Sequence, residues 1–483
     1  MHYDITIIGA GVVGGLIARQ LSSYENSVCI IDAANDVAMG ASKANSGIVH
    51  AGYDPAPGTN KAKFNLKGAE LMEDICNDLG VKFKRNGAMV VSYNERENRE
   101  LFYLLERGRI NGIEQMKIIS GDEARIMEPT LSKEIISALY IPTSAIVCPY
   151  QLTIAAVGNA MDNGATLITD FQVSNITNKI DAFEINAEDG RKLETSYIVN
   201  CAGVYADKIA NMVGDFSFNI YPSAGEYFLL DKKEAGLIDH TIFGVPGKRG
   251  KGVLATKTVD DNILLGPTAA KKLERDDDRT TAEGLDYVQE REERFFEGIP
   301  WKSVITSFAG VRAKCDRADF VIESPVKGFL NVAGIDSPGL TSAPAIALYV
   351  AGLLEEDGLL ANKKENWNPK RENNSRLFED MTFEEKSEFI KNNPIYGRII
   401  CRCEGITEGE IVEAIHQNPK PNDIDGIKRR TRAGMGRCQG GFCLTNVIEI
   451  LAREKKVSID SITKRGNGSK YIYDRTKESN ERI

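Results

Sequence analysis

The stretch DITIIGAGVVGG, beginning at Asp4, constrains this chain more than any other. Gly9, Gly11 and Gly14 spell G-x-G-x-x-G between a β-branched run and a helical pattern, VVGGLIARQL. That order predicts a strand-turn-helix unit. The glycines permit a tight turn and close backbone approach, and the helix that follows presents unpaired N–H groups to a pyrophosphate. Asp32 closes the next apolar run, 18 residues after Gly14, where a carboxylate suits a ribose hydroxyl. FAD and NAD share this fingerprint, so it predicts a dinucleotide without choosing one.

At 483 residues the chain exceeds what one core of roughly 250 to 300 residues organises. To about residue 359, β-branched runs alternate with helical stretches, the pattern of an α/β fold with a doubly wound sheet. Residues 361–398 turn rich in charge and Asn and predict a linker; 399–453 predict a compact unit and 454–483 a polar tail. The run SAPAIALYVAGLL falls short of the ~18 to 20 apolar residues that span a bilayer, and the N-terminus enters a strand without a signal-peptide pattern. A cytoplasmic protein with no transmembrane segment is expected. The net charge of −9 argues against a nucleic-acid binder and leaves the basic run KRRTR at 428–432 in need of a local reason.

Two later segments favour FAD. YIVNCAG ends in Ala202 and Gly203, and FLNVAGIDSPGLTSAPAIA places Gly339, Leu340 and Thr341 at a new helix start. The N–H groups and partial positive charge of that start suit the negative charge carried at the pyrimidine edge of a reduced flavin.

The motifs GASKANSGIVHAG (40–52), VNCAGVYAD (199–207), GEYFLLD (225–231), ILLGPTA (263–269), FAGVRA (308–313) and GIDSPGLTSAPA (334–345) carry a resemblance. Over about residues 1–360 the chain resembles the glycine-oxidase-type FAD-dependent oxidoreductases. Within them it is most similar to the soluble glycerol-3-phosphate dehydrogenases and oxidases and to the L-2-hydroxyglutarate oxidases. The resemblance implies an FAD domain in three pieces (about 1–80, 146–214 and 326–360) interleaved with an α+β substrate domain (about 81–145 and 215–325). It implies cofactor contacts from Gly9, Gly11, Gly14, Asp32, Ser42, Ser46, His50, Val173, Ala202, Gly203, Gly339, Leu340 and Thr341.

Oxidising a secondary alcohol on a flavin needs a base for the hydroxyl proton and a cation for an anionic substrate. His50, one of four histidines, lies in a flavin-family motif and is either that base or a flavin contact. Arg312 occupies the family's substrate-facing arginine position and offers a bidentate cation. The chain departs from membrane-associated glycerol-3-phosphate dehydrogenases just after His50, where an Arg-Tyr pair is replaced by Tyr53 and Asp54. A contact from Tyr53 and a charge from Lys257, or from Lys61 or Lys63, would have to compensate. Glycerol 3-phosphate is the first expectation, with L-2-hydroxyglutarate, another 2-hydroxy acid or an amino acid as alternatives. An electron-transfer subunit without its own substrate is a reading of another class.

Of nine cysteines, Cys29, Cys76, Cys148, Cys201 and Cys315 are scattered, whereas Cys401, Cys403, Cys438 and Cys443 are crowded as C-x-C and C-x4-C. A capping box, Thr407 to Glu410, and the run LTNVIEILA predict helices that gather both loops at one end of a small unit. Zinc pairs usually have two to four intervening residues, which fits only the second pair, and plant-type ferredoxins are spaced differently. The pattern resembles the bacterioferritin-associated-ferredoxin-like [2Fe-2S] domain, with C-x4-C as in its opine-oxidase branch. The glycines of GMGRCQGGFC would let N–H groups approach the cluster, and KRRTR would offset its charge. A flavin takes two electrons and releases them singly, so a cluster supplies an exit independent of O₂. The resemblance implies that a pyridine-nucleotide-linked flavoprotein drains it, with a small cysteine-rich protein as a further candidate partner.

Overall fold

A computed structural model describes residues 2–247, 252–371 and 378–473. The chain forms two compact units, Met1–Ala33 with Val37–Arg371, and Ala34–Asp36 with Glu372–Ile483.

The larger unit is built on two sheets. In the first, the His2–Ile8 strand runs parallel between Val28–Ile31 and Lys192–Asn200, with Thr166–Ile168 beyond one neighbour and Phe329–Ala333 parallel to the other. Chain order reverses about the first strand, so the strand ends there open onto a crevice, the place where doubly wound sheets bind ligands. The helices Val12–Leu21, Asn60–Asp78, Pro149–Asp162 and Gly339–Glu356 cover this sheet around a core containing Ile5, Ile7, Leu16, Leu152 and Ile346.

Among the described residues the second sheet has nine strands, in the order Ala270–Lys271, Ile220–Leu230, Ile263–Gly266, Leu254–Lys257, Thr241–Gly244, Ala88–Ser92, Ser137–Ile141 and Lys117–Ser120. The ninth, Val304–Cys315, pairs with the free edge of Ile220–Leu230. The two sheets draw on alternating stretches of sequence, which is the interleaved α/β and α+β architecture expected. The Val321–Val326 strand joins the first sheet, not the substrate part to which the sequence reading assigns most of it.

One buried acid stands out in this unit. Glu292, at the end of the helix Ala282–Glu292, is fully buried; one carboxylate oxygen accepts from Gly266 N–H at 3.2 Å and the other has no partner. Burial holds its pKa well above the ordinary carboxylate range. Its contribution to stability is therefore full below the unfolded pKa and is lost as pH rises toward the folded one. Glu292→Gln is expected to raise Tm at about pH 8 while changing it little at about pH 4, by roughly 1.4 kcal/mol for each pKa unit removed. Equal shifts at both pH values in thermal melts would contradict this.

In the smaller unit a hairpin, Ile399–Cys401 with Ile406–Thr407, precedes the helices Glu408–His416, Ile424–Thr431 and Leu444–Lys455, which pack around Ile411, Ile427, Val447 and Leu451. Both halves of the Thr407–Glu410 capping box form. The expected linker is largely structured. Residues 362–371 bond along the larger unit, through Glu25 N–H to Asn362 O and Arg371 N–H to Asp78 O. The helix Phe383–Asn392 packs its Phe389 with Phe378 and Tyr396. Residues 372–377 lie outside the described residues, as do 474–483 of the expected polar tail. That tail is apolar in part, since Ile462 is buried in the small core. Among the described residues no helix is long and apolar enough to cross a membrane.

Candidate functional site

The nucleotide cradle forms where the first strand meets its helix. Gly9 has φ of +110°, and a Cβ there would stand 2.4 Å from the Cys201 carbonyl oxygen; a Cβ on Gly14 would stand 2.0 Å from the Gly9 oxygen. Any side chain would fill the space, so the sequence GAGVVG is needed sterically as well as for phosphate access. An Asp32 oxygen accepts the Ala10 N–H at 2.7 Å and Ser42 Oγ accepts the Val12 N–H at 2.9 Å, which sets both beside the turn around Gly11. Ala202 and Gly203 follow the neighbouring strand, and Gly203 has φ of +56° with open space where a Cβ would be. Val173 begins an edge strand and packs on the cluster of Ile8, Cys29 and Ile31. These residues fit a dinucleotide lying across the strand ends.

His50 follows the short strand Ile48–Val49, and its main chain is held from two sides. Its N–H donates to Thr341 Oγ1 at 2.9 Å, and its carbonyl accepts from Asn65 Nδ2 at 2.5 Å. Thr341 also donates to Ile48 O at 3.3 Å. The hydroxyl of Thr341, a residue expected to touch the cofactor, is thus tied to the His50 strand. Asn65, fully buried on the helix Asn60–Asp78, carries no motif that would have revealed it. Gly339 and Leu340 open the helix Gly339–Glu356.

The second sheet presents its matching face to the segment leading into His50. Ser223, Gly225 and Tyr227 alternate onto one face and stand directly opposite Arg312, Gly310 and Phe308. Gly310 lets the Ala44 carbonyl approach, since a Cβ would lie within bonding distance of that oxygen. Tyr227 stacks on Phe308 at 5.0 Å, and its hydroxyl lies 3.4 Å from Ser46 Oγ. The Arg312 guanidinium crosses Gly225 and donates to Thr268 O at 3.2 Å. The motifs GEYFLLD and FAGVRA thus meet as partners in one strand pair, which sets Gly225, Tyr227, Phe308 and Gly310 beside Arg312, four residues that motif reading alone does not single out.

The other residues expected to touch substrate already have protein partners. Tyr53 is buried among Ile48, Leu104 and Met116, and burial pushes its phenol pKa upward. Lys257 pairs with Asp239 at 2.7 Å. It alternates to the face opposite Leu254, and Leu254 pairs with the Phe243 whose ring lies 5.9 Å from that of His50. Lys61 pairs with Asp336 at 2.7 Å, and Lys63 lies 4.8 Å from the centre of the Tyr349 ring. The register instead places Lys271 beside Ser223, on the side away from Arg312, so the three form a row across three strands.

In the smaller unit the cysteines associate across the two loops. Cys403 and Cys438 have Sγ atoms 3.5 Å apart, and Cys401 shares a hydrogen bond with Cys443. Cys401 and Cys443 are buried, while Cys403 and Cys438 are half-exposed. The bond with Cys443, helped by the N–H groups of Gly434 and Glu404, lowers the Cys401 pKa, while the same bond and burial raise that of Cys443. At Cys438 burial opposes ionisation, but the bond with Cys403 and the N–H groups of Phe442, Gly440 and Gly441 outweigh it. Among the described residues no three His, Cys, Asp or Glu side chains converge as a single-ion site. Two thiol pairs with N–H donors around them can supply two ligands to each iron of a binuclear cluster. Within KRRTR, Arg429 and Arg430 pair with Asp36 at 2.6 and 2.8 Å, and Arg432 with Glu404, next to Cys403, at 3.0 Å.

Comparison with known proteins agrees with both cofactor sites. A family model described as FAD dependent oxidoreductase matches residues 4–353, and one described as BFD-like [2Fe-2S] binding domain matches residues 399–453. The chain is 46% identical, over 98% of its own length and 99% of the relative's, to a glycerol 3-phosphate dehydrogenase of Caloramator mitchellensis. It is 29% identical, over 73% of its length and 88% of the relative's, to a mitochondrial L-2-hydroxyglutarate dehydrogenase of Pongo abelii. Among solved structures, the dithionite-reduced L-α-glycerophosphate oxidase of Mycoplasma pneumoniae with FAD bound superposes with a TM-score of 0.73 at 29% identity, covering 77% of this chain and 98% of that one. With glycine-lined nucleotide cradle, His50 segment and paired cysteines accounted for, the chain belongs to the FAD dependent oxidoreductase family, an enzyme whose cofactors are FAD and, in its C-terminal unit, a [2Fe-2S] cluster.

Proposed function

We propose that this enzyme oxidises glycerol 3-phosphate to dihydroxyacetone phosphate and passes the electrons singly through its cluster to a partner protein. The observation that carries the substrate half is the row Arg312, Ser223 and Lys271 on the face that receives the segment leading to His50. Two cations flanking a hydroxyl suit a phosphate dianion, and the likeness to the Caloramator enzyme supports that choice.

Arg312 binds and orients the anionic end through its planar N–H groups. His50, its main chain clasped by Thr341 and Asn65, takes the proton from the substrate hydroxyl at an imidazole nitrogen. Tyr227 and Phe308 wall this face and limit water there. FAD, when bound, supplies the two-electron acceptor. The acceptor beyond the cluster, by family resemblance, is a pyridine-nucleotide-linked flavoprotein.

Anaerobic mixing with glycerol 3-phosphate, L-2-hydroxyglutarate, other hydroxy acids and amino acids tests the reading by flavin bleaching. Glycerol 3-phosphate should bleach fastest. Bleaching only by L-2-hydroxyglutarate would move the assignment to the carboxylate class, and no bleaching by any compound would leave an electron-transfer subunit. His50→Asn is expected to lower kcat by ~10² to 10⁴-fold with flavin still bound, the usual contribution of a general base. The flavin is expected to be non-covalent and to be released by acid precipitation; an apoprotein on substitution, or colour retained in the pellet, would assign His50 to holding the cofactor.

A further inference from the structure

We infer that the rim of the two cysteine loops is a docking surface for an acidic redox protein, an inference that rests on the electron-exit reading above. Within residues 401–405 and 434–445 the exposed side chains are Arg402, Arg437, Gln439, Phe442 and Thr445, with Gly405 and Gly441 between them. None is acidic. The one carboxylate in these loops, Glu404, is already paired with Arg432 at 3.0 Å. On a chain of net charge −9, the exposed residues of these two loops thus include two arginines and no carboxylate.

Phe442 makes the rim more than a charged surface. The residue is 82% exposed, although its own N–H donates to Cys438 and the next residue, Cys443, is buried. Phenylalanine and arginine around a small apolar centre are typical of protein interfaces. The half-exposed thiols, Cys403 and Cys438, adjoin this rim, while Cys401 and Cys443 lie inward. Gly441 adds no bulk beside Cys438, so a partner bearing carboxylates around its own redox group would be steered to the rim and seated close to the outer thiols.

The test uses the anaerobically purified enzyme with ferricytochrome b5, an acidic one-electron acceptor, and ferricytochrome c, a basic one. Each substrate oxidised releases two electrons and two protons, so two ferric haems become ferrous and the protons pass to solvent. The rate with ferricytochrome b5 should fall at least ~10-fold from low to high salt. Arg402→Glu combined with Arg437→Glu should lower the low-salt rate, and weaken ferricytochrome b5 binding to the oxidised enzyme in titration calorimetry, by at least ~10-fold. Cluster EPR and anaerobic flavin bleaching should be unchanged. Phe442→Ser should weaken binding at low and high salt alike. Wild-type affinity in these variants with the EPR signal intact, or faster reaction with ferricytochrome c, would overturn the docking surface. A wild-type enzyme in which substrate never reduces the cluster would overturn the electron-exit reading itself.

Discussion

Arg312→Ala is expected to raise KM for glycerol 3-phosphate and lower kcat/KM by at least ~100-fold, since removing one partner of a desolvated ion pair costs about 3 kcal/mol or more. The structure supplies a companion experiment that leaves the arginine in place. The guanidinium lies over Gly225, and a Cβ there would fall within van der Waals contact of Arg312 Nη2 and 2.8 Å from Pro267 Cβ. Gly225→Ala should therefore displace the charge and reproduce much of the Arg312→Ala phenotype, while flavin content stays normal because Gly225 is outside the nucleotide cradle. Steady-state kinetics with flavin quantified per chain decide the matter. Unchanged KM in both variants would remove Arg312 from the substrate site; a change in Arg312→Ala alone would show that the strand pair accommodates the methyl group.

The second large effect concerns the cluster. Anaerobically purified protein is expected to carry about two iron and two acid-labile sulfide per chain, with substrate producing a reduced-cluster EPR signal. Cys438→Ser removes one member of the outer thiol pair, and Cys443→Ser one member of the buried pair, so each should abolish most of the iron and the EPR signal. Because the flavin site is formed by the larger unit, anaerobic bleaching by substrate should survive in both variants, and electron delivery to a protein acceptor should be lost. Stoichiometric zinc without iron in the wild-type protein, or full acceptor turnover in Cys438→Ser, would sink the electron-exit model.

How much of this was legible beforehand depends on the distance over which each interaction acts. Gly9, Gly11 and Gly14 declare themselves within a dozen residues, because a strand-turn-helix with no room for a Cβ is a local requirement. The Thr407–Glu410 box is equally local: both hydrogen bonds join residues three apart and form as the sequence predicts. His50 could be singled out from its motif, but the two residues that clasp it, Asn65 and Thr341, are separated by 276 positions, and Asn65 carries no local signature. The same holds for charge. Lys257 and the KRRTR run looked available because exposed cations usually are, and only folding shows Asp239, Asp36 and Glu404 already beside them.

What the sequence alone determined, then, is the set of short-range devices: the dinucleotide turn, the helix starts, the alternation of strands and helices and the two cysteine loops. Tertiary structure decided which of these face one another. Arg312 and Gly225 become neighbours only through the register of the strands Ile220–Leu230 and Val304–Cys315, and the same register aligns Lys271. The thiols pair across the loops, Cys403 with Cys438 and Cys401 with Cys443, and not within them. The physical reason is common to both. A backbone turn or cap is settled by the few residues that make it, whereas strand register and loop apposition are selected by burial of an entire face, a condition that no short stretch contains.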